Sequence, residues 1–147
     1  MVARKKKSKK RSGTNSSPRN KAPVLFLDEN TTSRLVIDAL KSAGFKIEIH
    51  RDHFSAGTED AVWLKEVAKR KWIAITRDQR IRYCPNEIAA VRQSGARMIF
   101  VTGGNLGSAE LAALLATHAI KLGHFIDQRK GPFMAKLTSG GSLTKLQ

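Results

Sequence analysis

Short apolar runs alternate with segments of helical periodicity along most of this 147-residue chain. That alternation limits the fold more than any other feature. Val24-Leu25-Phe26-Leu27 is a continuous apolar run of strand length, as expected where both faces of a parallel sheet are covered. Asn30-Thr31-Thr32-Ser33 then offers N-cap chemistry. Leu35, Val36, Ala39, Leu40 and Ala43 recur at helical spacing up to Gly44, a natural stop. The pattern repeats. Residues 45–49 predict a second strand and 50–57 a loop. Thr58 is placed to cap a helix with Ala61, Leu64, Val67 and Ala68 on its apolar face. Residues 72–76 predict a third strand, Pro85 opens a helix to about Gln93, and residues 97–101 predict a fourth strand. Ser108 is placed to cap a helix with Leu111, Leu114, Leu115, His118 and Leu122 in one stripe, ended by Gly123. Residues 132–138 and 142–146 flank Ser139-Gly140-Gly141, which predicts a terminal hairpin.

Such alternation implies an α/β fold with an open, mainly parallel sheet and helices on its faces. Sites in these folds lie outside the carboxyl ends of the strands. Three acidic positions fall there. The first strand ends in Asp28-Glu29-Asn30, the second leads to Glu59-Asp60 at a helix start, and the third ends in Thr76-Arg77-Asp78. Singly, each acid reads as a cap, a macrodipole partner or a turn former. Together on one rim they repel one another, a cost that a hard divalent cation such as Mg²⁺ or Mn²⁺ removes. Arg77, Arg80 and Arg82 beside Asp78 then read as phosphate contacts, with Arg51 and the stacking ring of Tyr83 as further nucleic-acid contacts.

Charge points to the same class of partner. The chain holds 27 Lys and Arg against 12 Asp and Glu, a net +15. Residues 1–21 carry nine basic side chains and no acid, so they read as a disordered basic tail suited to phosphates. Residues 22–147 form the folded domain. A 41% hydrophobic content excludes wholesale disorder. The single cysteine, Cys84, excludes an intrachain disulfide framework and a Cys-rich zinc site. No run approaches the roughly 18 apolar residues of a membrane span. The basic start lacks a following apolar stretch, so a cytoplasmic location is expected rather than secretion. Weaker features have plainer readings. The 103–108 loop is a tight turn or an anion cradle, His53 is a substrate-loop contact, and His118 and His124 are packing or surface residues. Trp63 and Trp72 pack a helix on the sheet.

The stretches LFLDENTTSRLVIDALKSAGF and HRDHFSAGTEDAVWLKEVAKRKWIAITRDQRIRY resemble the compact PIN-like domains of VapC-type toxins. The likeness extends to the closing PFMAKLT. It implies a three-layer PIN-like sandwich: a central, mainly parallel sheet, helices on both faces and a C-terminal β-hairpin. It also implies a metal-dependent ribonuclease using Mg²⁺ or Mn²⁺, the toxin of a type II toxin–antitoxin pair. RNA, a cognate antitoxin and a second copy of the chain are the implied partners. Asp28, Asp60 and Asp78 match the metal-binding acids, with Glu29 and Glu59 as helpers. Two departures stand out. Asp78 follows Asp60 by only eighteen positions, and Thr102-Gly103-Gly104-Asn105 stands where a fourth acid often follows the fourth strand. The alternative implied by that gap is a catalytically inactive nucleic-acid-binding module.

Overall fold

The computed structural model describes residues 23–102 and 106–146. Its elements run β1 (Val24–Leu27), α1 (Arg34–Ser42), β2 (Lys46–Ile49), α2 (Asp60–Lys69), β3 (Ile73–Thr76), α3 (Pro85–Ser94), β4 (Arg97–Val101), α4 (Ser108–Thr117), α5 (Ala119–Asp127), β5 (Phe133–Leu137) and β6 (Leu143–Lys145). Short 3₁₀ turns occupy His50–Asp52 and Gln79–Tyr83. The six strands form one sheet in the order β2-β1-β3-β4-β5-β6. The first four pairings are parallel, with Leu25 opposite both Ile47 and Ile73. β5 and β6 close as the expected antiparallel hairpin.

Strand alternation sorts the core into two layers. Leu25, Leu27, Ile73, Ile75, Ile99 and Val101 pack with residues of α1, α4 and α5. Phe26, Ala74, Met98 and Phe100 face the other way, against Trp63, Leu64 and Val67 of α2 and Val91 of α3. Helices on both faces of a mainly parallel sheet make the three-layer α/β sandwich expected from sequence.

Local chemistry explains most boundaries. The Ser33 hydroxyl accepts from the Val36 amide at 3.2 Å, so Ser33 caps α1. Gly44 takes φ +100 beyond the end of that helix. Pro85 opens α3 without wasting an amide donor.

Three expectations are corrected. Thr58 does not cap α2: its hydroxyl donates to the Ser55 carbonyl at 2.6 Å, and the N-cap is Glu59. Ser108 lies inside α4, whose N-cap is Gly107, with Glu110 accepting from the Gly107 amide at 2.8 Å. The single helix through His118 is two, broken at that residue, and Gly123 does not end the second. Leu111, Leu115 and Leu122 stay buried on one core face across the break, so periodicity hides it. Burial of Phe125 and Ile126 beyond Gly123 offsets the roughly 1 kcal/mol that glycine costs in a helix. His118 packs its ring against the backbone of Gly141, where φ is +92 and a side chain would have no room. The hairpin is thereby seated on the α4–α5 junction, and Lys121 Nζ donates to the Gly141 carbonyl at 2.6 Å.

Candidate functional site

The strand order reverses between β1 and β3: the chain winds out to β2 on one side and to β4 and β5 on the other. Loops leaving the carboxyl ends of β1 and β3 therefore diverge and leave a hollow between them. A pocket of about 640 Å³ opens there. It gathers Asp28, Glu29, Glu59, Asp60, Asp78 and Glu87. That is six of the twelve acidic residues in a chain of net charge +15.

Asp28 leaves β1 almost fully buried, 7% exposed. Thr31 Oγ1 donates to its Oδ1 at 2.6 Å, and Thr76 Oγ1, from the end of β3, donates to its Oδ2. The same Thr76 oxygen accepts from the Asp78 amide at 2.9 Å, tying the two carboxylate loops together. Burial pushes the Asp28 carboxyl above its ordinary range, against the lowering effect of the two threonine hydrogen bonds. The negative charge of Asp78 adds to the rise. Asp78 itself is held low, chiefly by Arg80. Arg80 Nη2 donates to Asp78 Oδ2 at 2.7 Å, and the Arg80 amide donates to Oδ1 at 3.0 Å. Asp78 thus also starts the 3₁₀ turn, its plain sequence reading.

Asp60 begins α2, and Trp63, one turn later, donates Nε1 to Asp60 Oδ1 at 2.9 Å. Glu29 and Glu59 are exposed at the rim. All five acids singled out in the sequence line the one pocket. The expected nucleic-acid contacts are spread more widely. Arg80 lines the pocket. Arg77, Arg82 and Tyr83 do not line it. The Arg82 guanidinium lies 5.1 Å from the centre of the Tyr83 ring, which is 71% exposed. Arg51 lies in a second groove of about 390 Å³ with Thr32, Ser33, Arg34 and Lys41. His53, expected as a substrate-loop contact, bonds Glu48 at 2.7 Å and packs against Trp72.

Four side chains that the sequence did not single out for this pocket also take part: Thr31, Thr76, Trp63 and Glu87. His50 is 2% exposed, sits among Phe26, Phe54 and Trp63, and lines the pocket. Glu87 enters from α3; burial and the nearby Asp60 charge raise its carboxyl. A threonine two residues before Asp78 and a tryptophan three after Asp60 were the available signals. The 103–105 loop and the 1–21 segment lie outside the described residues.

Carboxylate oxygens around a polar hollow suit a hard divalent cation by donor chemistry. Among the described residues, no three Asp, Glu, His or Cys side chains group tightly enough to hold one ion in common. The fit is therefore one of donor type rather than of a closed coordination shell.

Comparison with known proteins follows the same segment of chain. The family described as PIN like domain matches residues 23–103, from the start of β1 past the end of β4. The chain belongs to the PIN-like domain family. This stretch contains all six pocket carboxylates of the PIN-like domain. A protein of Mycobacterium tuberculosis (strain ATCC 25618 / H37Rv) that carries the name of a ribonuclease, VapC45, is 27% identical over 93 residues. The match covers 60% of this chain and 67% of that protein. No solved structure matches the chain. No helix among the described residues is long and apolar enough to cross a membrane.

Proposed function

We propose that this PIN-like domain is a divalent-cation-dependent endoribonuclease and the toxin of a toxin–antitoxin pair. The observation that carries the proposal is the convergence of half of the acidic residues on one pocket at the sheet's switch point in a strongly basic chain. Family membership and the likeness to VapC45 support the choice of RNA and of a toxin role.

Asp28, Asp60 and Asp78 would hold Mg²⁺ or Mn²⁺, with Glu29 and Glu59 assisting from the rim. Such a cation, when bound, polarises a scissile phosphate and makes a water more acidic. The chain's own residues supply the rest. Thr31 and Thr76 fix both oxygens of Asp28, and Trp63 fixes one oxygen of Asp60. Arg80 balances Asp78 and is itself largely exposed, so its unused guanidinium donors face an incoming phosphate. Arg51, with Arg34 and Lys41, carries the flanking backbone along the second groove. Arg77, Arg82 and Tyr83 would meet RNA farther along the β3–α3 loop. The nine basic residues of segment 1–21 add affinity without sequence preference.

A second reading, an inactive nucleic-acid-binding module, is favoured by the lack of a closed group of three ligands among the described residues. Incubating the purified chain with mixed RNAs separates the two. The nuclease reading expects cleavage with Mn²⁺ or Mg²⁺ and silence in excess EDTA. Binding without cleavage under every metal condition would favour the module.

A further inference from the structure

A groove of about 560 Å³ runs between α2 and α3. Ala61 and Asn86 line both this groove and the acidic hollow, so the two are continuous where the helices begin. The Arg51 groove, by contrast, shares no lining residue with the hollow.

The two walls differ in chemistry. Ala61, Lys65 and Lys69 follow one another at four-residue spacing on α2 and form one ridge. Both lysines are exposed, and neither is ion-paired among the described residues. Glu66, on the same helix, is engaged by Arg70 at 2.6 Å. Like charges one turn apart are unfavourable on a free helix. Two exposed lysines alone make an ordinary solvated face. These two border a depression that no acid lines among the described residues. The opposite wall is Asn86, Ala89 and Gln93: two amide side chains, each able to donate and accept, with a small residue between them. Among the described residues, the lining also lacks a large apolar side chain of the kind that anchors a protein partner.

We propose that the α2–α3 groove seats single-stranded RNA on one side of the hollow, with phosphates along Lys65 and Lys69 and the sugar and base edges against Asn86 and Gln93. This rests on reading the hollow as the place where RNA is cut. Cations along one wall and amides along the other match a strand whose two edges differ in the same way. Lys65 and Lys69 are about 5–6 Å apart at their Cβ atoms by helix geometry, so each can meet a separate phosphate. The strand then passes from the groove into the acid pocket without leaving the surface.

The test uses the full chain in EDTA and a short fluorescein-labelled single-stranded RNA of mixed sequence. Anisotropy gives affinity across a salt series, and melting temperatures check folding. Lys65→Ala/Lys69→Ala should melt as wild type and bind more weakly. Its slope of log affinity against log salt should be flatter by roughly 1.4, about 0.7 for each of two phosphates. Lys65→Arg/Lys69→Arg keeps both charges and should retain the wild-type slope. Lys130→Ala/Lys145→Ala removes two exposed lysines from outside the groove and should also retain it. An unchanged slope in Lys65→Ala/Lys69→Ala, or equal flattening in both alanine pairs, would overturn the proposal. Loss of binding to a labelled oligoglutamate peptide in Lys65→Ala/Lys69→Ala, with RNA binding kept, would overturn it in favour of an acidic protein segment. Absence of RNA binding by wild type in EDTA would overturn it too, because these lysines need no metal to hold phosphates. The ribonuclease reading is judged separately, by Mn²⁺-supported cleavage of the same RNA by wild type.

Discussion

Six carboxylates and Arg80 line the larger hollow. Thr32, Ser33, Arg34, Lys41 and Arg51 line the smaller one with Asp38 as the acid. The two differ in how their charges are held. Asp28 is buried and fixed by two threonine hydroxyls. Arg34 reaches Asp38 only at 3.8 Å, with both side chains largely in water. Exposed pairs of that kind contribute little to stability and leave the cation available. The acidic hollow is therefore a built and unfavourable arrangement, whereas the basic groove is a solvated surface. On the proposed reading, a polyanion would meet non-specific attraction in the groove and positioned chemistry in the hollow.

The sharpest way to break that contrast is to loosen the buried side. Thr76→Val keeps the shape of the side chain but removes the hydroxyl that joins Asp28 to the Asp78 amide. A buried carboxylate oxygen then lacks its donor, at a cost of about 1–3 kcal/mol. Chemical denaturation should show that loss, together with a large fall in RNA cleavage. An unchanged midpoint would mean that the network does not hold Asp28.

A smaller effect follows from pH. Burial raises the Asp28 pKa in the folded state, so the native protein binds that proton more tightly than the unfolded chain does. This contribution is complete below the ordinary carboxylate pKa and is lost as pH rises through the elevated native value. Asp78 has the opposite sign, because Arg80 lowers its pKa. Its contribution is present above the unfolded value and disappears on acidification, though solvent screens that exposed partner. Melting curves of metal-free protein across the acid range should show Asp28→Asn gaining on wild type as pH rises. A constant difference would contradict the assigned cause.

The smallest effect belongs to the open groove. Arg51→Ala should leave the melting temperature unchanged and weaken RNA binding equally across sequences. The slope of log affinity against log salt should flatten by roughly 0.7 for each single-strand phosphate that is no longer neutralised. An unaltered slope would remove Arg51 from the RNA path.

The sheet was legible because buried parallel strands leave unbroken apolar runs, as in Val24-Leu25-Phe26-Leu27 and Met98-Ile99-Phe100-Val101. Ser33, Gly44 and Pro85 marked helix ends through local chemistry that needs no tertiary context. The break at His118 was hidden because the leucines on either side bury against one layer. The pocket lining divided along the same line. That Asp28, Asp60 and Asp78 meet at one pocket was readable from the rule that places sites beyond strand ends. Glu87 was not, because an acid in a helix's first turn looks like a dipole partner until α3 is packed beside α2. The burial of His50 was hidden too, since nothing in its loop indicates that its ring turns in among Phe26 and Trp63.

The central claim, that the acidic hollow is a cation-dependent cleavage centre, is tested most directly by one measurement: Mn²⁺-supported RNA cleavage by wild type and by Asp28→Asn, Asp60→Asn and Asp78→Asn, each beside its melting temperature. Asparagine keeps the size and one acceptor oxygen while removing the charge that a divalent cation needs. The account predicts that each variant stays folded and no longer cleaves; without metal at neutral pH, Asp28→Asn melts near or above wild type and Asp78→Asn slightly below it, because Arg80 loses its charged partner. Wild-type cleavage by Asp78→Asn, or cleavage by wild type that persists in EDTA, would contradict it.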